Sequence, residues 1–127
     1  MGRVEGKVAL VTGGAAGLGE ADARLLAKEG AKVVITTRKK VDEGQALVDE
    51  IKRDGGEAVF LQLDVSKEED WKRVIGDVIK KYGKLNVVVN NAGISVVKTI
   101  EETSLDDWNQ VMGINATGVF LGTKYSI

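Results

Sequence analysis

The sequence predicts an α/β fold built on one parallel sheet with helices on both faces. Four short runs, Val8–Val11, Lys32–Thr37, Glu57–Leu63 and Leu85–Val89, are rich in β-branched residues and show little polar alternation. Runs of that kind suit strands buried on both faces. Between them lie stretches with apolar residues at helical spacing, and glycines punctuate the junctions. Strands joined in this way by helices run parallel, and right-handed crossovers give the strand order 3-2-1-4.

The first strand enters Thr12-Gly13-Gly14-Ala15-Ala16-Gly17-Leu18-Gly19, a glycine turn that opens a helix over Leu18–Glu29. Gly30 ends that helix as a C-cap. A second helix spans Val41–Arg53, with Gly44, Leu47, Val48 and Ile51 on one face and Gly55-Gly56 behind it. Ser66-x-x-Glu69 has capping-box spacing, and Trp71, Val74, Ile75, Val78, Ile79 and Tyr82 form the stripe of a third helix that Gly83 stops. The fourth strand runs into Asn90-Asn91-Ala92-Gly93 and a loop to about Thr103. Ser104 caps the last helix, where Asp106 and Asp107 suit the positive end of the dipole. Its apolar face is predicted to carry Trp108, Val111, Met112, Asn115, Ala116, Val119, Phe120 and Thr123. The elements together make a Rossmann-type, doubly wound arrangement.

The 127 residues suffice for one core. A formal net charge of −1 argues against non-specific binding to nucleic acid or to an anionic membrane. Without cysteine or histidine there is no disulfide, thiolate nucleophile, histidine-based triad or zinc site of the usual ligands. No apolar run reaches the ~18–20 residues of a membrane span, and residues 1–7 do not read as a signal peptide. The expected address is the cytoplasm. Proline is absent, so the sixteen glycines serve the turns.

In a sheet of this type the ligand lies beyond the carboxyl ends of the strands, where the winding reverses between the first and the fourth. Four clusters fall there: Thr12–Gly19, Thr37–Lys40, Asp64-Val65 and Asn90–Gly93. A glycine turn opening a helix admits a pyrophosphate to the backbone and offers it unpaired N–H groups, although the same turn also serves as a tight connection with no ligand. The spacing Gly13-x-x-x-Gly17-x-Gly19 differs from G-x-G-x-x-G. At the end of the second strand, an acid that would select NAD is replaced by Thr37 followed by Arg38-Lys39-Lys40. A basic run fits the 2′-phosphate of NADP; its alternative is a solvated charged turn. Asp64 and Val65 meet the adenine edge and face, or Asp64 only tethers the next helix. Asn115 either bonds a neighbouring backbone or holds water beside a reaction centre.

Thr12-Gly13-x-x-x-Gly17-x-Gly19, Asp64-Val65, Asn90-Asn91-Ala92-Gly93 and Asn115 together resemble the N-terminal half of a short-chain dehydrogenase/reductase, over essentially all 127 residues. The stretch from Asn90 to Asn115 most resembles the NADP-preferring, R-specific alcohol dehydrogenase branch. The resemblance implies a dinucleotide-binding half-domain over residues 1–127, with NADP as cofactor and NAD less favoured. It implies that Gly13, Gly17, Leu18 and Gly19 cradle the pyrophosphate, that Thr37 and Arg38 read the 2′-phosphate and that Asp64 and Val65 take the adenine. Asn90, Ala92 and Gly93 would line the adenosine and nicotinamide-ribose side, and Asn115 would order a water in the proton relay. The family's catalytic Ser and Tyr-x-x-x-Lys pair are not found: Tyr82 is followed four residues later by Asn86, and Tyr125 by Ser126 and Ile127 alone. The expected parent interconverts secondary alcohols and ketones, and these 127 residues are expected to be inactive by themselves. The alternative is a stand-alone nucleotide-binding or self-assembling module. A homo-oligomer through the fourth strand or the last helix is expected in either case.

Overall fold

A computed structural model describes residues 2–93 and 98–127; residues 94–97, within the loop expected between Gly93 and Thr103, lie outside the described residues, as does Met1. The chain runs β1 (Val8–Thr12), α1 (Gly17–Lys28), β2 (Lys32–Thr37), α2 (Val41–Arg53), β3 (Glu57–Gln62), α3 (Glu68–Tyr82), β4 (Val87–Val89), α4 (Leu105–Met112), a π-helical turn (Gly113–Thr117) and α5 (Gly118–Ser126). The four strands form one parallel sheet in the order β3-β2-β1-β4, as the sequence predicts.

Side chains on β1 alternate between two cores. Val8 and Leu10 join Leu63, Trp71, Val74, Val78 and Leu121 under α3 and α5, whereas Ala9 and Val11 join Ala23, Leu47, Val48 and Ile51 under α1 and α2. Both faces are covered, which is why the strand lacks polar positions. Among the described residues no helix is long and apolar enough to cross a membrane.

Three local expectations are corrected. The helix α3 does not start with a Ser66–Glu69 capping box: its N-cap is Lys67, with no side-chain cap. Asp64 intercepts Ser66 first, accepting from its N–H at 3.0 Å and its hydroxyl at 2.6 Å. The outer ends of two strands are also shorter than read. Leu63 lies past β3, and Leu85-Asn86 precede β4, where Asn86 ties to Val8 through its carboxamide and its own N–H, both at 2.9 Å.

The third correction concerns the last helix. Its buried face is Ile114, Gly118, Leu121 and Gly122, while Trp108, Met112, Asn115, Val119 and Phe120 are exposed. The glycines bring α5 against the core. A Cβ at Gly118 would stand 2.6 Å from Val65 Cγ2, and one at Gly122 would stand 2.9 Å from the Trp71 ring. The indole of Trp71 is in turn pinned by its N–H donating to the Val65 carbonyl at 2.8 Å.

Candidate dinucleotide site

The carboxyl ends of β1, β2 and β4 and the segment after β3 open on one cleft of about 380 Å³. Its walls include Gly13, Ala15, Ala16 and Gly17 from the glycine turn and Thr37–Lys40 from the end of β2. Leu63, Asp64 and Val65 come from beyond β3, and Asn91, Ala92 and Gly93 from beyond β4. Ile114 closes one side. The cleft thus sits where the winding reverses, between β1 and β4.

Thr12 fastens the two sides of that junction. Its hydroxyl donates to the Val89 carbonyl at 3.3 Å and accepts from the N–H groups of Asn91 and Ala92, both at 3.0 Å. Asn91 returns the tie by donating from its carboxamide to the Gly13 carbonyl at 3.2 Å. Gly13 is left no space for a side chain, since a Cβ would lie 3.1 Å from both Ala92 Cα and Asn91 Nδ2. Gly13 and Gly17 both take left-handed backbone, with φ of 64° and 58°, but a Cβ on Gly17 would face open space. Helix α1 starts at Gly17, and its N-cap Ala16 supplies no side-chain acceptor. The first-turn N–H groups are therefore open to an anion, with the dipole behind them.

The β2 end is basic. Arg38, Lys39 and Lys40 line the cleft, and Arg38 Nη1 stands 4.0 Å from Asp64 Oδ2. Thr37 is 8% exposed and its buried hydroxyl has no hydrogen-bond partner among the described residues. A buried polar atom of this kind normally has one. This hydroxyl, the glycine cradle and the cationic rim fit a phosphate-bearing ligand.

Most residues expected at the site do meet here: Gly13, Gly17, Thr37, Arg38, Asp64, Val65, Ala92 and Gly93 line the cleft. Leu18 is exposed beside Gly17, and Gly19 is buried behind the turn. Asn90 is outside the cleft lining. A Cβ on Gly122 would collide with the Asn90 carboxamide oxygen, so that side chain supports α5 while Asn91 takes the cleft wall. Asn115 belongs to the π-helical turn, and its carboxamide oxygen would be 3.3 Å from a Cβ on Gly93, at the edge of the cleft. The residue is exposed, contrary to the buried position read from the helical stripe.

The family model for short chain dehydrogenases matches residues 7–127. The chain belongs to the short-chain dehydrogenase family. It is 44% identical over 124 residues to a cyclopentanol dehydrogenase of Comamonas testosteroni, covering 98% of this chain and 49% of that protein. It is 42% identical over 127 residues to an NADP-dependent (R)-specific alcohol dehydrogenase of Lentilactobacillus kefiri, with coverage of 98% and 49%. A Burkholderia cenocepacia short-chain dehydrogenase, solved in complex with NADP, superposes with a TM-score of 0.93 at 35% identity, covering 98% of this chain and 51% of that one. The chain spans about half the length of the curated relatives it matches.

For a short-chain dehydrogenase, the residues that sequence reasoning missed are those that brace the site. Thr12 and Asn91 were legible only as motif letters, because the bonds they make join positions 77 to 80 residues apart. Asp70, whose carboxylate accepts from the Asp64 N–H at 2.9 Å, looked like one more acid in the first turn of α3.

Proposed function

We propose that the chain is the cofactor-binding half of an NADP-preferring short-chain alcohol dehydrogenase or carbonyl reductase that acts on secondary alcohols and ketones. The observation carrying this reading is the β2 end of the cleft, where Arg38, Lys39 and Lys40 line the wall beside a Thr37 hydroxyl with no partner among the described residues. A carboxylate at that strand end would bond the ribose 2′-hydroxyl of NAD and repel a 2′-phosphate; a cationic end does the reverse. The NADP dependence of the Lentilactobacillus relative and the NADP complex of the Burkholderia neighbour support the same choice.

Bound in this cleft, the nicotinamide would supply or accept the hydride. The chain's own residues bind and orient. Gly13, Gly17 and the α1 N-terminus hold the pyrophosphate, with Leu18 and Gly19 completing the turn. Thr37 and Arg38 hold the 2′-phosphate, Asp64 and Val65 the adenine, and Ala92 and Gly93 the nicotinamide-ribose side. Asn115, beside Gly93, holds the relay water that the resemblance implies. A cytoplasmic location belongs to the same reading.

Carbonyl reduction needs a positioned acid for the developing alkoxide, and in the family that acid is the tyrosine of Tyr-x-x-x-Lys. Neither tyrosine here lines the cleft. Tyr82 lies near Lys32 at the opposite end of the sheet, and burial pushes its hydroxyl above the ordinary range. Tyr125 donates to Glu68 at 2.5 Å, which pushes its pKa up to about 12. The 127 residues are therefore expected to bind NADPH without oxidising it. Fluorescence titration of the purified chain should show saturable binding, and addition of a secondary ketone should leave the nicotinamide absorbance constant. Turnover that scales with chain concentration and survives repurification would contradict this.

A self-assembling module is the second reading, favoured by the outer edge of β4, which pairs with no strand among the described residues, and by exposed Trp108 and Phe120. An open strand edge and uncovered apolar surface each favour pairing with another copy.

A further inference from the structure

We infer that Ser66 is a positioning residue for the 2′-phosphate end of the cleft, acting through Asp64 on Arg38; this rests on the NADP reading above. Arg38 is a long side chain at the cleft edge, 37% exposed. A guanidinium free to wander there would have to be ordered before it could hold a phosphate, which weakens binding. The structure orders it from two sides.

The Arg38 carbonyl accepts from Gln62 Nε2 at 2.8 Å, which fixes the backbone where the side chain departs. Its Nη1 faces Asp64 Oδ2 at 4.0 Å. Asp64 is held more firmly than the arginine it faces. Its N–H donates to Asp70 Oδ2 at 2.9 Å, and its Oδ1 accepts from both the N–H and the hydroxyl of Ser66, at 3.0 and 2.6 Å. With Oδ1 committed to Ser66, Oδ2 is the oxygen turned toward Arg38.

At 4.0 Å the Arg38–Asp64 contact is an ion pair outside hydrogen-bond distance. The guanidinium is thus biased in place by charge while its N–H donors stay available for a ligand. Ser66 is half-buried and does not line the cleft, so its influence on the cofactor passes through Asp64. The 2.6 Å hydroxyl contact is of the short, charge-assisted kind, and its loss frees the carboxylate to turn.

The test is the ratio of NADPH to NADH affinity, measured calorimetrically for the wild-type chain, Ser66→Ala, Ser66→Thr, Asp64→Glu, Arg38→Ala and the Arg38→Ala/Ser66→Ala double variant. Because both nucleotides carry the adenine, the ratio cancels any general effect on that subsite. Ser66→Ala should lower the ratio about three- to tenfold, less than the loss of a charged hydrogen bond made directly to the phosphate, because Ser66 acts only through Asp64. Ser66→Thr keeps the hydroxyl and should keep the ratio. Asp64→Glu conserves the charge but carries the carboxylate away from Ser66, so it should lower the ratio as Ser66→Ala does. On the Arg38→Ala background, Ser66→Ala should leave the ratio unchanged. A ratio unmoved by Ser66→Ala and Asp64→Glu, with both affinities falling together, would give Ser66 a merely structural role and overturn the inference. So would a Ser66→Ala effect that persists without Arg38, or a ratio that Ser66→Thr fails to keep. If Arg38→Ala itself leaves the ratio intact, or the wild-type chain binds neither nucleotide, the NADP reading falls and takes the inference with it.

Discussion

A methyl group on Gly19 has nowhere to go. It would run into the Gly13 carbonyl oxygen and stand 2.5 Å from Asn91 Nδ2, both parts of the scaffold behind the glycine turn. Gly19→Ala should therefore destabilise the fold by about 1–3 kcal/mol, the range for overpacking a close contact. Gly17 differs in kind: its φ of 58° is a left-handed conformation, but a Cβ there meets nothing within 4 Å and projects from a cleft wall. Gly17→Ala should cost about 1–2 kcal/mol for the conformation alone and should also weaken NADPH binding, because the methyl stands where a pyrophosphate approaches. Thermal melts with and without NADPH separate the two cases. Equal melting losses with no change in cofactor affinity at Gly17 would remove that residue from the cradle. The sequence showed that both glycines matter to one turn. It did not show which faces the ligand, because that depends on Asn91, 72 residues after Gly19 in the chain.

At the scale of elements, helix starts were only half legible. Ser104 does cap α4: its hydroxyl accepts from the Asp107 N–H at 3.0 Å, and Asp107 accepts in return from the Ser104 N–H at 3.1 Å. Ser66 fails as a cap for α3 because the helix starts at Glu68 with Lys67 as its N-cap, and the Ser66 hydroxyl is turned back to donate to Asp64. A capping pattern cannot show which way the hydroxyl turns. Ser104→Ala should cost about 1 kcal/mol, measurable as a lower melting temperature. The Asp107 carboxyl is held below its usual range by Lys98, which donates to it at 2.8 Å, and by the Ser104 N–H. Since its folded pKa is depressed, its contribution is present above the unfolded aspartate value of about 3.9 and is lost as pH falls through the folded value. The protection factor of the Ser104 amide, which donates to the Asp107 carboxylate, should therefore hold from pH 8 to 5 and fall in acid below that value. Loss of that protection already near neutrality would contradict the assignment. The last helix was misread for another reason. Helical periodicity finds an apolar stripe, but Gly118 and Gly122, which face the core, carry no apolar signal. The π-helical turn at Gly113–Thr117 also breaks the 3.6-residue period on which the stripe was drawn.

For the molecule as a whole, strand order and parallel pairing were legible because every β-branched run is followed by a helix long enough to cross the sheet. What covers each surface was not. The outer edge of β4 has no strand beside it among the described residues, and a groove lined by Leu85, Val88, Asn90 and Gly122 lies along it. On α4 and α5, Trp108 and Phe120 are 58% and 60% exposed. The chain should self-associate through this side, most simply as a two-fold dimer. Light scattering across a dilution series should show the mass falling toward that of one chain, and Phe120→Asp should shift the equilibrium toward monomer if the last helix contributes. A folded monomer persisting at high concentration would show that this surface is protected in solution.

The central claim is that the cleft distinguishes NADP from NAD through Arg38, and its most direct measurement is a paired titration of NADPH and NADH into the wild-type chain and Arg38→Ala. Loss of a charge-assisted hydrogen bond costs about 1.5–3 kcal/mol, so NADPH affinity should fall by about 10–100-fold. NADH affinity should stay where it was. An equal loss for both nucleotides, or a wild-type chain that binds NADH at least as tightly as NADPH, would contradict it.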